Sequence, residues 1–457
     1  MSLSSATLPL LAPRDLEAPI AWRSGAPVSA RQFLADAAAQ AEALPAQGPV
    51  VNLCRDRYRF AVGLAAALMR GHTSLFPPNP MPETLARLRQ QHGPVAGLSD
   101  DPAVTAEHLP LVPLAGAADA ASAPPMPQVS VALAAACLLT SGSTGAPQPH
   151  AKVWGPLVRN LGAAAERVAE MLGRPGLAGV NIVATVPPQH MYGFESSVLL
   201  ALLGGAAFDA GRPFYPADIV ESLQRLPRPR ALVTTPFHLK TLLLAGLALP
   251  AVDLVVSATA PLSPQLAQQA ERAFGGPLIE IYGCTEAGQV ATRRTAESEL
   301  WLTFGELRLR REEAADGERF IVQGGHVTEP TPLADVLQLQ DERRFRLLGR
   351  ANDLIHVAGK RSSLSHLNYH LNSIEGVDDG AFWLPEEVAD GVVRTVAFVV
   401  APGLSAQQIV AALRPRIEPV FLPRRIVHLD ALPREATGKL TAGALRALAQ
   451  VHLGATA

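Results

Sequence analysis

One unit recurs along this chain and constrains its fold more than any other feature. It is a short apolar run, then a turn of small residues or proline, then a helical pattern. The unit appears at residues 180–186 before Pro187-Pro188, at 231–233 before Thr234-Thr235-Pro236, and at 254–256 before Ser257-Ala258-Thr259-Ala260-Pro261. A further run, 278–282, ends in Gly283-Cys284-Thr285-Glu286-Ala287-Gly288. Apolar runs of this length bounded by turn residues read as buried strands. Their alternation with helical patterns predicts αβ units. Upstream, helical patterns at 30–44, 60–70 and 82–91 alternate with apolar segments such as 50–53 in the same way. The expectation is an open α/β sheet whose strand ends converge on one crevice, the place where such sheets bind ligands.

One strand end is chemically distinctive. The apolar run 131–139 stops at Thr140-Ser141-Gly142-Ser143-Thr144-Gly145-Ala146-Pro147. Gly142 and Gly145 permit backbone angles closed to other residues, so successive amides can turn toward one point. The neighbouring hydroxyls add donors, and such a concavity suits a polyphosphate. From the loop alone, an ordinary polar turn after a strand is an equal reading. The spacing is not the GxxxxGK[ST] of P-loop kinases and GTPases, which argues against that mechanism. The end of the 180–186 run carries His190, Tyr192 and Phe194, although a lone histidine is more often structural than functional.

Composition excludes several classes. With 457 residues, 48% hydrophobic and 18% charged, the chain can bury a large core and divides into two or more domains. A formal net charge of −2 leaves no electrostatic footprint for nucleic acid. Cys54, Cys137 and Cys284 are far apart and odd in number, so neither a disulfide framework nor a metal cluster is expected. The N-terminus lacks the basic region of a signal peptide, and the longest apolar runs are too short to span a bilayer. A cytoplasmic protein is therefore expected. Its basic residues are almost all arginine, the lysines being Lys152, Lys240, Lys360 and Lys439. Where arginine is the default cation, a lysine points to a need for a compact, mobile ammonium.

Beyond residue 300 the pattern becomes alternating, at 306–310 and 319–323, as in antiparallel strands of a smaller sheet. A polar turn, Gly349-Arg350-Ala351-Asn352-Asp353, marks a domain boundary. The domains expected are thus 1–349 and 350–457. The second has a mixed pattern: helices at 364–371 and 406–414, strands at 392–400 and 426–429, and Pro433–Lys439 before a last helix.

Taken in order, four motifs resemble the adenylate-forming superfamily of acyl- and aryl-CoA synthetases, adenylation domains and luciferases. They are the loop Thr140–Pro147, the Tyr-Gly-x-Thr-Glu at Tyr282–Glu286, Asp335 ahead of Gly349-Arg350, and the closing Pro-Arg-x-x-x-Gly-Lys at Pro433–Lys439. The resemblance implies a large α/β N-terminal domain of layered sheets and helices and a small mobile α+β C-terminal domain. It also implies ATP, Mg²⁺ and a phosphopantetheine thiol as reactants. In that scheme Thr140, Ser141, Gly142, Ser143, Thr144 and Gly145 hold the β,γ-phosphates. Tyr282 and Gly283 face adenine opposite Ser257, Ala258 and Thr259. Thr285 contacts the α-phosphate, Glu286 ligands the metal, and Asp335 with Arg350 binds the ribose. His190 borders the acid's carboxylate, with Tyr192, Phe194 and Phe237 lining the acid pocket. Lys439 bridges the attacking carboxylate and the α-phosphate. Asn352 is the hinge, and Gly359 lies on the thiol tunnel exposed when the small domain rotates.

The chain also departs from the family pattern. The phosphate loop continues Pro147-Gln148-Pro149-His150 where Pro-Lys-Gly is usual, and Lys152 is the candidate substitute for the missing cation. The usual Thr-Gly-Asp is Leu333-Ala334-Asp335, and the usual Gly-rich turn is Ser257–Ala260. The Gln-Pro-His-x-Lys-x-Trp continuation is similar to the AMP-ligases of bacterial aryl-polyene and xanthomonadin pigment clusters. That resemblance implies an aromatic acid such as a hydroxybenzoate, loaded onto an acyl carrier protein or CoA. A fatty or 3-hydroxy acid, an amine acceptor, and a non-catalytic nucleotide-binding scaffold are the alternatives.

Overall fold

In the computed structural model the described residues are 6–77, 79–105, 107, 109–141, 147–314, 317–350, 354–357, 360–385, 394–434 and 440–454. Two sheets organise the part before residue 350. The larger has eleven strands, and six of them are parallel, in the order Pro19–Arg23, Ala207–Asp209, Asn181–Ala184, Arg230–Thr234, Leu254–Ser257, Leu278–Cys284. Antiparallel strands extend it past Leu278–Cys284 through Gly288–Arg293, Trp301–Thr303, Arg344–Arg350 and Asp335–Leu339. The second sheet has five strands, Ala96–Leu98, Val50–Asn52, Ser74–Phe76, Ala134–Ser141 and Pro147–Val153. The repeated apolar runs are thus the central parallel strands, as both-face burial requires.

Alternation along each strand decides which core a residue joins. Ala231 and Val233 face a central cluster while Leu232 faces the other side, and Leu254 and Val256 divide from Val255 in the same way. In the second sheet Ala136 and Leu138 enter the central cluster, and Cys137 and Leu139 face away from it. The central layer between the sheets holds the helices Ala30–Ala43, Arg57–Met69 and Trp154–Met171. The far face of the larger sheet is covered by Pro216–Arg225, Pro236–Leu244 and Pro264–Phe274. Two of these outer helices begin with a hydroxyl cap before proline: Thr235 accepts from the His238 N–H, and Ser263 from that of Leu266. A cap satisfies an otherwise orphaned donor, and proline at the first helical position loses nothing.

A three-stranded antiparallel sheet, Arg308–Ala314, Gly317–Gly324 and Val327–Leu333, lies beside these layers. After residue 354 come the hairpin of Leu354–Val357 with Lys360–Ser363, a three-stranded sheet, and the helices Leu364–Asn372, Ala406–Leu413 and Ala442–Leu453. These elements have their own hydrophobic clusters, one around Phe382, Leu367 and Ile409, another around Phe398 and Trp383. The architecture is α/β, with a large layered sheet-and-helix part and a smaller C-terminal one. No helix among the described residues is long and apolar enough to cross a membrane.

Candidate active site

The strands Ala134–Ser141 and Pro147–Val153 form an antiparallel pair that closes with Ser141 opposite Pro147. The hydroxyl- and glycine-rich stretch therefore joins two strands. Gly142, Ser143, Thr144, Gly145 and Ala146 themselves lie outside the described residues, as do Asn352, Gly359 and Lys439; Thr140, Ser141 and Arg350 are described only as strand backbone.

Opposite this hairpin stands the turn after Leu278–Cys284. Tyr282 is buried, its ring packed against Trp301 and Phe345 at centroid distances of 5.7 and 5.6 Å. Its hydroxyl donates to Asp335 Oδ2 at 2.8 Å. Asp335 in turn pairs with Arg350 across neighbouring strands. Three residues far apart in sequence are thereby brought together at the sheet's extended edge. The neighbouring turn at Ser257–Ala260 is tight, and Thr259 carries φ +80°. That left-handed conformation is costly for a β-branched residue, and it marks the place where the family pattern has glycine.

Glu286 projects from residues 285–287 with its side chain 53% exposed, and its Oε1 lies 3.9 Å from His150 Nε2. Among the described residues no group of three or more His, Cys, Asp or Glu could hold a metal. An open carboxylate without companion ligands fits Mg²⁺, which takes one or two carboxylates, substrate phosphates and waters, and not a metal needing an all-protein cage. Thr285 sits beside it, half-buried. A cavity of about 200 Å³ adjoins this turn, lined by Lys152, Asn160, Met191, Glu195, Glu286 and His326 among others.

The 180–186 run ends in an exposed His190, which starts a helix over 191–204 whose turn at Phe194–Leu199 is widened. Widened turns of this kind recur at functional sites. The Tyr192 hydroxyl lies 3.0 and 2.9 Å from the carbonyl oxygens of Thr234 and Val256, tying this helix to two strand ends. Phe194 is fully buried against Phe60 and Phe76, so its ring serves the core. Phe237 is half-buried and packs edge-on against His238. His238 is enclosed by Thr185 and Thr235, and burial, with the Arg212 charge, pulls its imidazole down to about 4.

Several groups at the site carry no motif. Arg57 is fully buried and donates to Ser197 Oγ at 2.7 Å and to the carbonyl oxygens of Ala184 and Val186 at 2.9 and 3.0 Å. It holds the strand end that leads to His190. Glu195, Asn160 and His326 are also buried. Burial pushes the Glu195 carboxyl up, against the pull of Lys152 and the Asn160 hydrogen bond. Glu195 has a visible signal, a lone carboxylate in an apolar stretch; Arg57 and Asn160 look like ordinary helix residues.

Comparison with known proteins matches the geometry. The AMP-binding enzyme family matches residues 97–307. The 4-coumarate–CoA ligase of Rhodobacter capsulatus is 31% identical over 310 residues, covering 67% of this chain and 74% of that protein. Its counterpart from Halorhodospira halophila is 32% identical over 244 residues, or 52% of this chain and 56% of that protein, so this match spans little more than half of the relative's length. In three dimensions, an anthranilate CoA ligase in complex with anthranoyl-AMP superposes with a TM-score of 0.77 at 16% identity. The alignment covers 99% of this chain and all 100% of that one, a likeness of fold. The chain belongs to the AMP-binding enzyme family, the adenylate-forming ligases.

Proposed function

We propose that this chain is a Mg²⁺- and ATP-dependent acid–thiol ligase that activates an aromatic carboxylic acid, a hydroxybenzoate being the first candidate. The observation that carries the reading is the Tyr282–Asp335 hydrogen bond on the strand that leads to the Glu286 turn, which Lys152 and His150 of the strand Pro147–Val153 meet. Groups suited to a nucleoside and to a metal-bound phosphate would then serve one ligand, which supports the reading. Two relatives whose names specify 4-coumarate support an aromatic acid and CoA as acceptor. The residues 147–154 favour a carrier-protein thiol as the alternative acceptor.

In the first half-reaction a carboxylate oxygen of the acid attacks the α-phosphorus and pyrophosphate leaves. In the second, a pantetheine thiol attacks the acyl carbonyl, the acyl–oxygen bond breaks, and AMP departs. Mg²⁺ bound with ATP supplies charge neutralisation at the phosphate oxygens. Glu286 would hold it, Asp335 would take the ribose hydroxyls, and Tyr282 would border adenine. Lys439 would neutralise the approach of two anions, which at a few ångströms repel strongly. His190 would border the acid's carboxylate. The two parts of the chain, before and after residue 350, would exchange Lys439 for the Gly359 face between half-reactions. Acid-dependent ATP–pyrophosphate exchange across benzoates, cinnamates and fatty acids tests this reading. Exchange is expected with aromatic acids and Mg²⁺; its absence with every acid would favour a scaffold.

A further inference from the structure

The most unusual group near the site is a buried lysine. Lys152 is only 9% exposed, and its Nζ donates to the backbone carbonyl of Glu286 at 3.0 Å. The charges around it are the Glu195 and Glu286 carboxyls, with the Cys284 thiol beside them. Glu195, 2% exposed, accepts from Asn160 Nδ2 at 2.5 Å on the other side. Gly288 ends the turn at φ +78°, and a Cβ there would lie 2.9 Å from Glu195 Oε1 and 3.1 Å from Asn160 Nδ2. His326 engages the backbone of Ala287 and Gln289. Residues 285–288 are thus gripped on several sides by buried polar groups, and the grip reaches Glu286 through its own carbonyl.

The strand register separates Lys152 from the phosphate loop. It pairs with Ala136, whereas the loop is closed by Ser141 opposite Pro147. Five residues of strand, 147 to 152, span about 17 Å. An ammonium occupied by a carbonyl and flanked by two carboxyls has little charge to offer a triphosphate. Glu195 alone could account for a buried cation, since a buried charge needs a partner. It does not account for the bond to Glu286, whose own carboxylate stands open beside the cavity.

We propose that Lys152 is a positioning residue for Glu286: by fixing the Glu286 carbonyl it sets the carboxylate that takes Mg²⁺, and it does not contact the triphosphate. This rests on the magnesium role given to Glu286 above.

The test is ATP binding without acid, so that no turnover occurs, measured by calorimetry with Mg²⁺ and with EDTA. The quantity read is the ratio of the two dissociation constants. In Lys152→Met the ratio is expected to fall at least tenfold, with affinity in EDTA changing less. In Lys152→Met/Glu195→Gln both members of the buried charge pair are gone, so charge balance returns without the carbonyl donor, and the ratio is expected to stay low. The double variant also carries the measurement should Lys152→Met fail to fold. Equal losses with Mg²⁺ and with EDTA would mean a phosphate contact and overturn the proposal. Recovery of the ratio in the double variant would reduce Lys152 to a counter-ion for Glu195 and overturn it too, as would an unchanged ratio. If the unaltered protein binds ATP with no gain from Mg²⁺, the magnesium role of Glu286 falls first and this inference with it.

Discussion

Replacing Arg57 by methionine removes a buried cation while keeping an unbranched side chain of similar reach. The guanidinium makes three hydrogen bonds, to Ser197 Oγ and to the carbonyl oxygens of Ala184 and Val186. Hydrogen bonds from a charged donor contribute roughly 1.5–3 kcal/mol each, or about 5–9 kcal/mol together. Against that stands desolvation: burial pulls Arg57 from 12.5 to about 10. At roughly 1.4 kcal/mol per unit this offsets about 3 kcal/mol. The net loss on substitution is then about 2–6 kcal/mol, large for one residue. Asp209, pushed up to about 6 by burial although Arg57 pulls the other way, would rise further. Urea unfolding of the two proteins measures the loss, and pyrophosphate exchange reads its consequence. Val186 lies four residues before His190, so kcat/KM for the acid should fall as well. A variant within about 0.5 kcal/mol of the parent, with unchanged exchange, would show that Arg57 does not secure this strand end.

Thr259 at φ +80° carries a backbone cost of roughly 1–2 kcal/mol. Thr259→Gly relieves it but adds roughly 0.5–1 kcal/mol of unfolded-state entropy, so calorimetry should show a net gain of up to about 1.5 kcal/mol. A net loss would mean that the threonine side chain makes a contact worth more than the strain. His238 and His326 are both lowered from 6.5 to about 4 by burial. A depressed folded value means that their contribution is complete above pH 6.5 and drains away as pH falls toward 4. The melting temperature should drop across that window and drop less steeply in His238→Gln; an unchanged slope would assign the acid sensitivity elsewhere. Lys439→Ala should nearly abolish adenylation yet still convert supplied acyl-adenylate to thioester, with Gly359→Leu showing the reverse. Equal slowing of both steps by Lys439→Ala would contradict domain rotation.

Much of the fold is legible in the sequence because its signals are local. The runs at 231–233 and 254–256 become central strands, and the turn Thr234-Thr235-Pro236 becomes a helix start. The strand reading of 131–139 is met by Ala134–Ser141, and a second strand, Pro147–Val153, pairs antiparallel with it. The site is legible only where motifs carry it. Tyr282 belongs to one motif and Asp335 with Arg350 to another, and the sheet brings them together. Side-chain environment is not legible. An aromatic residue after a strand end looks the same whether it lines a pocket or, like Phe194, fills a core. Arg57 reaches partners 127 to 140 residues away, and Glu195 and Lys152 come together only through the packing of a helix on a hairpin. Such burial depends on long-range partners that no periodicity encodes.

The central claim, that this chain joins an acid to AMP before a thiol, is tested most directly by the fate of a carboxylate oxygen. The protein is incubated with Mg²⁺, ATP, a pantetheine thiol and an aromatic acid labelled with ¹⁸O in its carboxylate, and the phosphorus-containing products are analysed by mass spectrometry. Attack on the α-phosphorus, followed by thiol attack on the carbonyl, leaves one labelled oxygen in AMP and none in pyrophosphate. Label in inorganic phosphate with ADP as co-product, or thioester formed with unlabelled AMP, would contradict the account.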